Sequence, residues 1–329
     1  MINAAIIGQG WWGQTIARNL AESELININL CVDPRPEARE AAAARGVATS
    51  ARFEDALERA DIDAVILCSP HKYHPVQIAA AARAGKHVFC EKPLCTNAAE
   101  WDLTLAAVKA AGIRLGVGHE RRFEPAVIEM QRRFSAGEFG NALLLEANFS
   151  QDIFLTLPPD NWRLSATEAP VGPLSATGIH LVDLSIAFLG PPKRVWARLA
   201  TRGSRFANGD TLSVTIEFES GVTAMLGAVL ATPFMGRLAL LGSRGWFDIR
   251  DRTHPQEPTG WDVTTARRGE APSTINYPPH GAVRDNLEAF ARAVSGAAAY
   301  PISLEEMSWN VRTFEAISRS VASGNIEAV

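Results

Sequence analysis

Ala4-Ala5-Ile6-Ile7-Gly8-Gln9-Gly10-Trp11-Trp12-Gly13 decides the fold of the first part of this chain. A short apolar strand runs into Gly-x-Gly-x-x-Gly, and a helical pattern follows over residues 14–22. The three glycines divide the work. Gly8 permits a tight turn, Gly10 lets a pyrophosphate approach the backbone, and Gly13 lets helix pack on strand. The helix start adds N–H groups and a favourable dipole for phosphate. A second strand, 26–32, ends in Asp33, 20 residues after Gly13, where an adenosine ribose would find its acceptor. Asp33 argues for NAD over NADP, because its charge would meet a 2′-phosphate. Arg35 weakens that preference without reversing it.

Working outward, helices over 36–45 and 54–59, with at most a short strand at 47–48 between them, lead to a strand over 64–68. It ends in Ser69-Pro70-His71-Lys72-Tyr73-His74-Pro75, and a helix over 76–84 stops at Gly85. The next strand, 87–90, is broken by Glu91-Lys92-Pro93; Pro93 cannot donate to a ladder and holds Lys92 out of the helical region. A helix over 97–111 and a strand over 114–117 complete an alternation that predicts a doubly wound parallel sheet. Open sheets of this kind bind ligands at the C-terminal edge, where Glu91 and Lys92 stand. Only five of the 32 basic residues are Lys, so a Lys there suggests a group whose proton can move. The plainer alternative is an exposed ion pair at a strand end. Cys68, His71 and His74 have a spacing that could suit a metal, but Pro70 interrupts it and no fourth ligand is near, so no metal is expected. Ser69, Pro70 and His74 read instead as lining a cofactor crevice.

Composition bounds the function. The chain has 329 residues, 47% hydrophobic and 21% charged, with a net charge of −4, which gives no field for nucleic acid or an anionic membrane. No apolar run reaches the roughly 20 residues of a membrane span, and the N-terminus has no signal-peptide pattern. Four cysteines, three of them in apolar runs, read as free thiols of a cytoplasmic protein.

From residue 142 the grammar changes. Strand patterns over 143–150, 193–202, 211–219, 222–231 and 237–241 follow one another largely without helices, with a hairpin turn at Ser220-Gly221. Helices are expected over 126–135, 179–189, 281–295 and 304–323, and 255–269 reads as a polar surface excursion. The domains are therefore placed at 1–120 and 121–329.

The chain resembles the glucose–fructose oxidoreductase and inositol dehydrogenase family, the Gfo/Idh/MocA type. The matching residues are Gly8-x-Gly10-x-x-Gly13, Asp33, Ser69-Pro70-x-x-x-His74, Ala84-Gly85-Lys86-His87-Val88-x-x-Glu91-Lys92-Pro93, Arg121-Arg122-Phe123, Trp162-Arg163, and Gly178-Ile179-His180-Leu181-Val182-Asp183. The resemblance implies a Rossmann α/β domain followed by an α+β domain with an open, largely antiparallel sheet that makes a homodimer or homotetramer. It implies an NAD-dependent oxidoreductase, with NADP as the alternative, acting on the secondary alcohol of a small sugar, polyol, cyclitol or cyclic diol.

Lys92 and His180 would be catalytic under this resemblance. Gly8, Gln9, Gly10, Trp11, Trp12, Gly13, Asp33, Arg35, Ser69, Pro70, His71, His74, Glu91, Lys92 and Arg163 would meet the cofactor. The family commonly has an Asp four residues before the His, where this chain has Ala176; Asp183 is expected to be structural. Arg121, Arg122 and Arg163 would suit an anionic substrate or else lie in solvent. Two other readings share the cofactor motifs: a nicotinamide-binding sensor without turnover, and a glycosidase that uses NAD transiently.

Overall fold

A computed structural model describes residues 1–329, which divide into two compact units: Met1–Glu120 with Val283–Met307, and Arg121–Ala282 with Ser308–Val329. In the first unit six strands form a parallel sheet: β1 Ile2–Ile7, β2 Ile26–Val32, β3 Ala48–Ser50, β4 Ala64–Leu67, β5 His87–Cys90 and β6 Leu115–Val117. Their order is β3-β2-β1-β4-β5-β6. Every residue of β4 is buried, as expected of a parallel strand covered on both faces. The order reverses between β1 and β4, so the chain leaves these strands in opposite directions and opens a crevice at their C-terminal ends. Helices α1 Trp11–Asn19, α2 Pro36–Ala43, α3 Glu54–Glu58, α4 His74–Arg83 and α5 Ala98–Ala111 supply the crossovers. The Asn97 side chain caps α5 by accepting from Glu100 N–H at 2.9 Å, and left-handed Gly112 ends it.

A single division at residue 120 does not describe this arrangement, because Val283–Met307 joins the first unit. Helix α8 (Ala282–Val294), which follows α6 (Pro125–Ser135) and α7 (Ile179–Leu189) of the second unit in chain order, buries Leu287, Phe290 and Ala291 with Ile6 and Ile66. The Phe290 ring meets Phe89 edge-on at 5.7 Å, and Asn286 donates to the Val117 carbonyl at 2.9 Å. Burying two such side chains contributes roughly 1.5–3 kcal/mol each. Periodicity marks α8 as amphipathic but does not say which sheet receives its apolar face.

The second unit is built on a nine-stranded sheet: β7 Ala142–Ser150, β8 Pro192–Ala200, β9 Thr211–Phe218, β10 Thr223–Val229, β11 Met235–Gly242, β12 Gly245–Asp251, β13 Trp261–Arg267, β14 Ser273–Tyr277 and β15 Glu327–Ala328. The order is β14-β13-β12-β11-β7-β10-β9-β8-β15, antiparallel except where β10 pairs with β7. Leu212, Val214, Ile216 and Phe218 of β9 are buried while the residues between them face outward, the period of a sheet covered on one side. The covering layer includes α6 Pro125–Ser135, α7 Ile179–Leu189 and α9 Leu304–Ser323, whose Phe314 and Ile317 enter the same core. Ten of the eleven residues of α7 are buried, so this helix lies inside the layer rather than on it.

The stretch 255–269 is not an excursion. It contains β13, where Trp261, Val263 and Thr265 are buried in alternation with Asp262, Thr264 and Ala266. One Thr inward and polar residues outward leave the period 2 intact while lowering the apolar signal. Strand β12 buries only Phe247 and Ile249, which weakens its signal in the same way, and β14 buries no residue, so it carries no apolar period.

Candidate active site

The glycine-rich turn has the geometry its sequence implies. Gly8 has φ +95°, and a Cβ there would lie 2.7 Å from the Cys68 carbonyl oxygen. A Cβ on Gly13 would lie 2.0 Å from the Gly8 carbonyl oxygen, so α1 can sit on the turn only as it does. Gly10 caps α1 in extended conformation without a side-chain hydrogen bond, leaving the first-turn N–H groups for an anion. Around Gly10 the space is open, the nearest atom to a Cβ being Arg35 Nη2 at 3.9 Å. This cradle fits a dinucleotide pyrophosphate.

Asp33, at the end of β2, is 3% exposed. Its Oδ2 accepts from Gln9 N–H at 2.7 Å and Arg35 Nη2 at 3.0 Å; its Oδ1 accepts from Arg35 N–H and Nε, both at 3.0 Å. Burial alone would raise the carboxyl pKa, but the bonds from Arg35 and Gln9 together hold it below the ordinary range.

At the end of β5, Lys92 is partly buried and followed by a cis peptide to Pro93. The His74 ring spans the loops after β4 and β5, with Nδ1 2.7 Å from the Pro93 carbonyl oxygen and Nε2 2.9 Å from that of Ser69. His74 is fully buried, so it does not line a crevice; it ties the Ser69 and Lys92 loops together. Burial pushes its ring pKa down, against those two carbonyls. His71 lies beside it, ring centroids 5.8 Å apart.

Glu91 is not the surface carboxylate of a strand end. It is buried, and its carboxyl is pushed up to about 8, first by burial and then by the negative charge of Glu120, with only partial relief from the Trp12 indole and Lys92. Both effects favour its protonated form. Glu120, itself buried in the turn Glu120–Phe123, was not singled out from the sequence; it follows the last strand of the alternation by only three residues.

In the second unit, His180 is 4% exposed in the first turn of α7. A π-helical turn, Leu174–Gly178, precedes it. This approach is held under strain: Val171, a β-branched residue, has φ +49°. Buried Asn208 fixes it, its backbone carbonyl accepting from Gly172 N–H at 2.7 Å and its side-chain amide donating to the Arg163 and Ala169 carbonyls at 2.8 Å. From Val171 to Ile186 every residue is buried except Ala176, which is partly exposed.

The His180 ring lies 6.0 Å from that of Phe149, which also meets His254 at 5.6 Å and the Arg121 guanidinium at 5.2 Å; Phe234 packs on His254 at 5.6 Å. His254 and Phe234 escaped sequence reasoning, since neither stands in a motif and only the folding of β7, β11 and β12 gathers them. Arg121 and Arg122 are neither solvent-exposed nor open to an anionic substrate. Arg121 is 1% exposed between Glu124 at 3.0 Å and Asp251 at 2.7 Å, and Arg122 meets Asp183 at 2.8 Å. Asp183 is thus an ion-pair partner. Arg163 stacks its guanidinium over Trp162 at 4.3 Å. The expected set is divided: the glycine turn, Asp33, Arg35, Ser69, Pro70, His71, His74, Glu91 and Lys92 belong to the first unit, His180 and Arg163 to the second.

Residues 2–119 match the model of an oxidoreductase family with an NAD-binding Rossmann fold, and residues 127–248 match the GFO/IDH/MocA C-terminal domain. The chain is 30% identical to D-xylose 1-dehydrogenase (NADP(+)) 2 of Haloferax volcanii over 296 residues, 88% of each chain. It is 28% identical to 1,5-anhydro-D-fructose reductase of Ensifer adhaerens over 267 residues, 80% of this chain and 79% of the relative. Among solved structures, aldose-aldose oxidoreductase from Caulobacter crescentus, complexed with glycerol, superimposes with a TM-score of 0.89 at 25% identity, covering 100% of this chain and 99% of that one.

Proposed function

Because the chain belongs to the Gfo/Idh/MocA oxidoreductase family, we propose that Lys92 and His180 are the catalytic residues in interconverting a secondary alcohol and a ketone of a sugar, polyol or cyclitol. The protein is an NAD(P)-dependent oxidoreductase acting on CH–OH groups. Nicotinamide, when bound, takes up or returns the hydride. The observation that carries the assignment is the place of Lys92, a partly buried residue at the C-terminal edge of β5 next to Glu91, whose carboxyl burial and then Glu120 push up. A cation placed there can stabilise a developing alkoxide. His180 serves as the base for the hydroxyl proton, the imidazole being the side chain suited to that near neutrality. The test is a panel of sugars, polyols and cyclitols with either dinucleotide, read by reduced-nicotinamide absorbance beside a binding titration.

The same reading extends to assembly and place. The outward face of the nine-stranded sheet carries Trp196, Met225, Met235 and Leu241, all at least 37% exposed, which supports a homodimer or homotetramer through this face. No helix is long and apolar enough to cross a membrane, and the four cysteines are free, three of them buried, which suits the reducing cytoplasm.

A further inference from the structure

We infer that Glu91 and Glu120 act as one carboxyl pair that carries a single negative charge as the counter-ion of Lys92, with Glu120 the positioning residue; this rests on the reading of Lys92 as catalytic. The parallel sheet of the first unit brings the two acids to one edge. Cys90 at the end of β5 pairs with Val117 at the end of β6, and the Gly118 N–H donates to the Cys90 carbonyl at 2.9 Å. Glu91 is the residue after one strand, and Glu120 stands in the turn just beyond the other. Both are more than nine-tenths buried. The Glu91 carboxyl fills the notch left by the missing side chain of Gly118, two residues before Glu120.

Two buried carboxyls at one place resist ionising together, because each charge opposes the other and water is excluded from both. The groups that bear on Glu91 come from every element around it. Glu120 pushes its carboxyl up, while the Trp12 indole of α1, Lys92 and the Lys92 N–H oppose that. The Cys68 and Cys90 thiols also face it; burial and Glu91 hold both well above the ordinary thiol value, so they add no charge. Buried His119 stands between Gly118 and Glu120 in the chain.

The charge count at this edge has one favourable solution. An ammonium with no carboxylate near it loses its proton readily when desolvated. With two carboxylates beside it, the second charge opposes an alkoxide as strongly as Lys92 favours one. A pair that keeps one proton holds Lys92 protonated and leaves the edge neutral until the alkoxide forms. Glu120 thus acts on the reaction through Glu91 and Lys92, without touching substrate.

The test is infrared difference spectroscopy of the full chain, titrated from neutral to alkaline pH and read at the protonated-carboxyl stretch. The wild type should lose a carboxyl band as pH rises through about 8, and Glu91→Gln should lack that transition. Glu120→Gln should move it down by about one pH unit or more, and Lys92→Met, which removes the cation, should move it up by a similar amount. Glu120→Asp, which keeps the charge, should move it less than Glu120→Gln. Turnover of the wild type should fall through the same transition, and Glu120→Gln should abolish that fall. A wild type with no carboxyl transition, or one that stays in place in Glu120→Gln or in Lys92→Met, overturns the inference. So does a pH–rate profile that Glu120→Gln leaves unchanged. If Glu120→Gln does not fold, Glu91→Gln and Lys92→Met decide it. Near wild-type turnover by Lys92→Met would instead end the catalytic reading of Lys92, and the infrared titration would still decide the pair.

Discussion

The carboxyl of Glu91 packs where residue 118 has no side chain: both carboxyl oxygens lie 2.5 Å from the position a Cβ on Gly118 would take. The glycine after β6 therefore makes the chamber that keeps Glu91 beneath the Lys92 turn. Gly118→Ala would drive the carboxyl out of it.

Burying this acid makes stability depend on pH in an unusual direction. Glu91 holds its proton in the folded state up to about 8, whereas its ordinary value is 4.5. Between those two values the folded chain binds a proton that the unfolded chain has lost. Stability therefore falls as pH rises through this window and levels off above it, by an amount on the order of a few kcal/mol. Glu91→Gln, which keeps the shape and cannot ionise, should flatten that slope. Urea unfolding of both proteins at pH 5.5 and pH 8.5 measures it, and equal slopes would remove Glu91 from the account.

Lys92→Ala should lower turnover by about a hundredfold or more while NAD binding stays near wild type, since the pyrophosphate and ribose contacts lie elsewhere. Lys92→Arg should fail nearly as badly, the larger fork not fitting a place shaped for an ammonium. His180→Ala should lose the limb of the pH–rate profile that reports a base, and the double variant should be little slower than the worse single one. Near wild-type turnover by Lys92→Ala would end the assignment.

Asp183→Ala would leave Arg122 buried without its carboxylate. A broken buried pair costs about 3–5 kcal/mol. Chemical denaturation should show a loss of that size, and replacement of both residues by apolar side chains should recover part of it.

Light scattering at micromolar protein should give a dimer or tetramer mass. Met225→Asp places a charge in the middle of the outward face, on β10 opposite Glu146 of β7, and should shift the mass toward the monomer. A wild-type monomer would refute the assembly.

Local chemistry by itself determined much of this protein. The strand–Gly-x-Gly-x-x-Gly–helix unit, Asp33 twenty residues on, the Glu91-Lys92-Pro93 break and the bounds of α7 and α9 all depend on neighbours in sequence, and turn sterics and apolar period act at that range. Tertiary structure decided the rest. The proton on Glu91 depends on burial and on Glu120, 29 residues away; His74 is removed from any crevice by the carbonyls of Ser69 and Pro93; His254 reaches Phe149 only because β12 and β7 flank β11. Ion pairing placed Arg121 and Arg122 in the interior, where a sequence offers only their charge. Electrostatics and burial are sums over groups that folding assembles, so the identity of a residue names its chemistry while its surroundings set its charge.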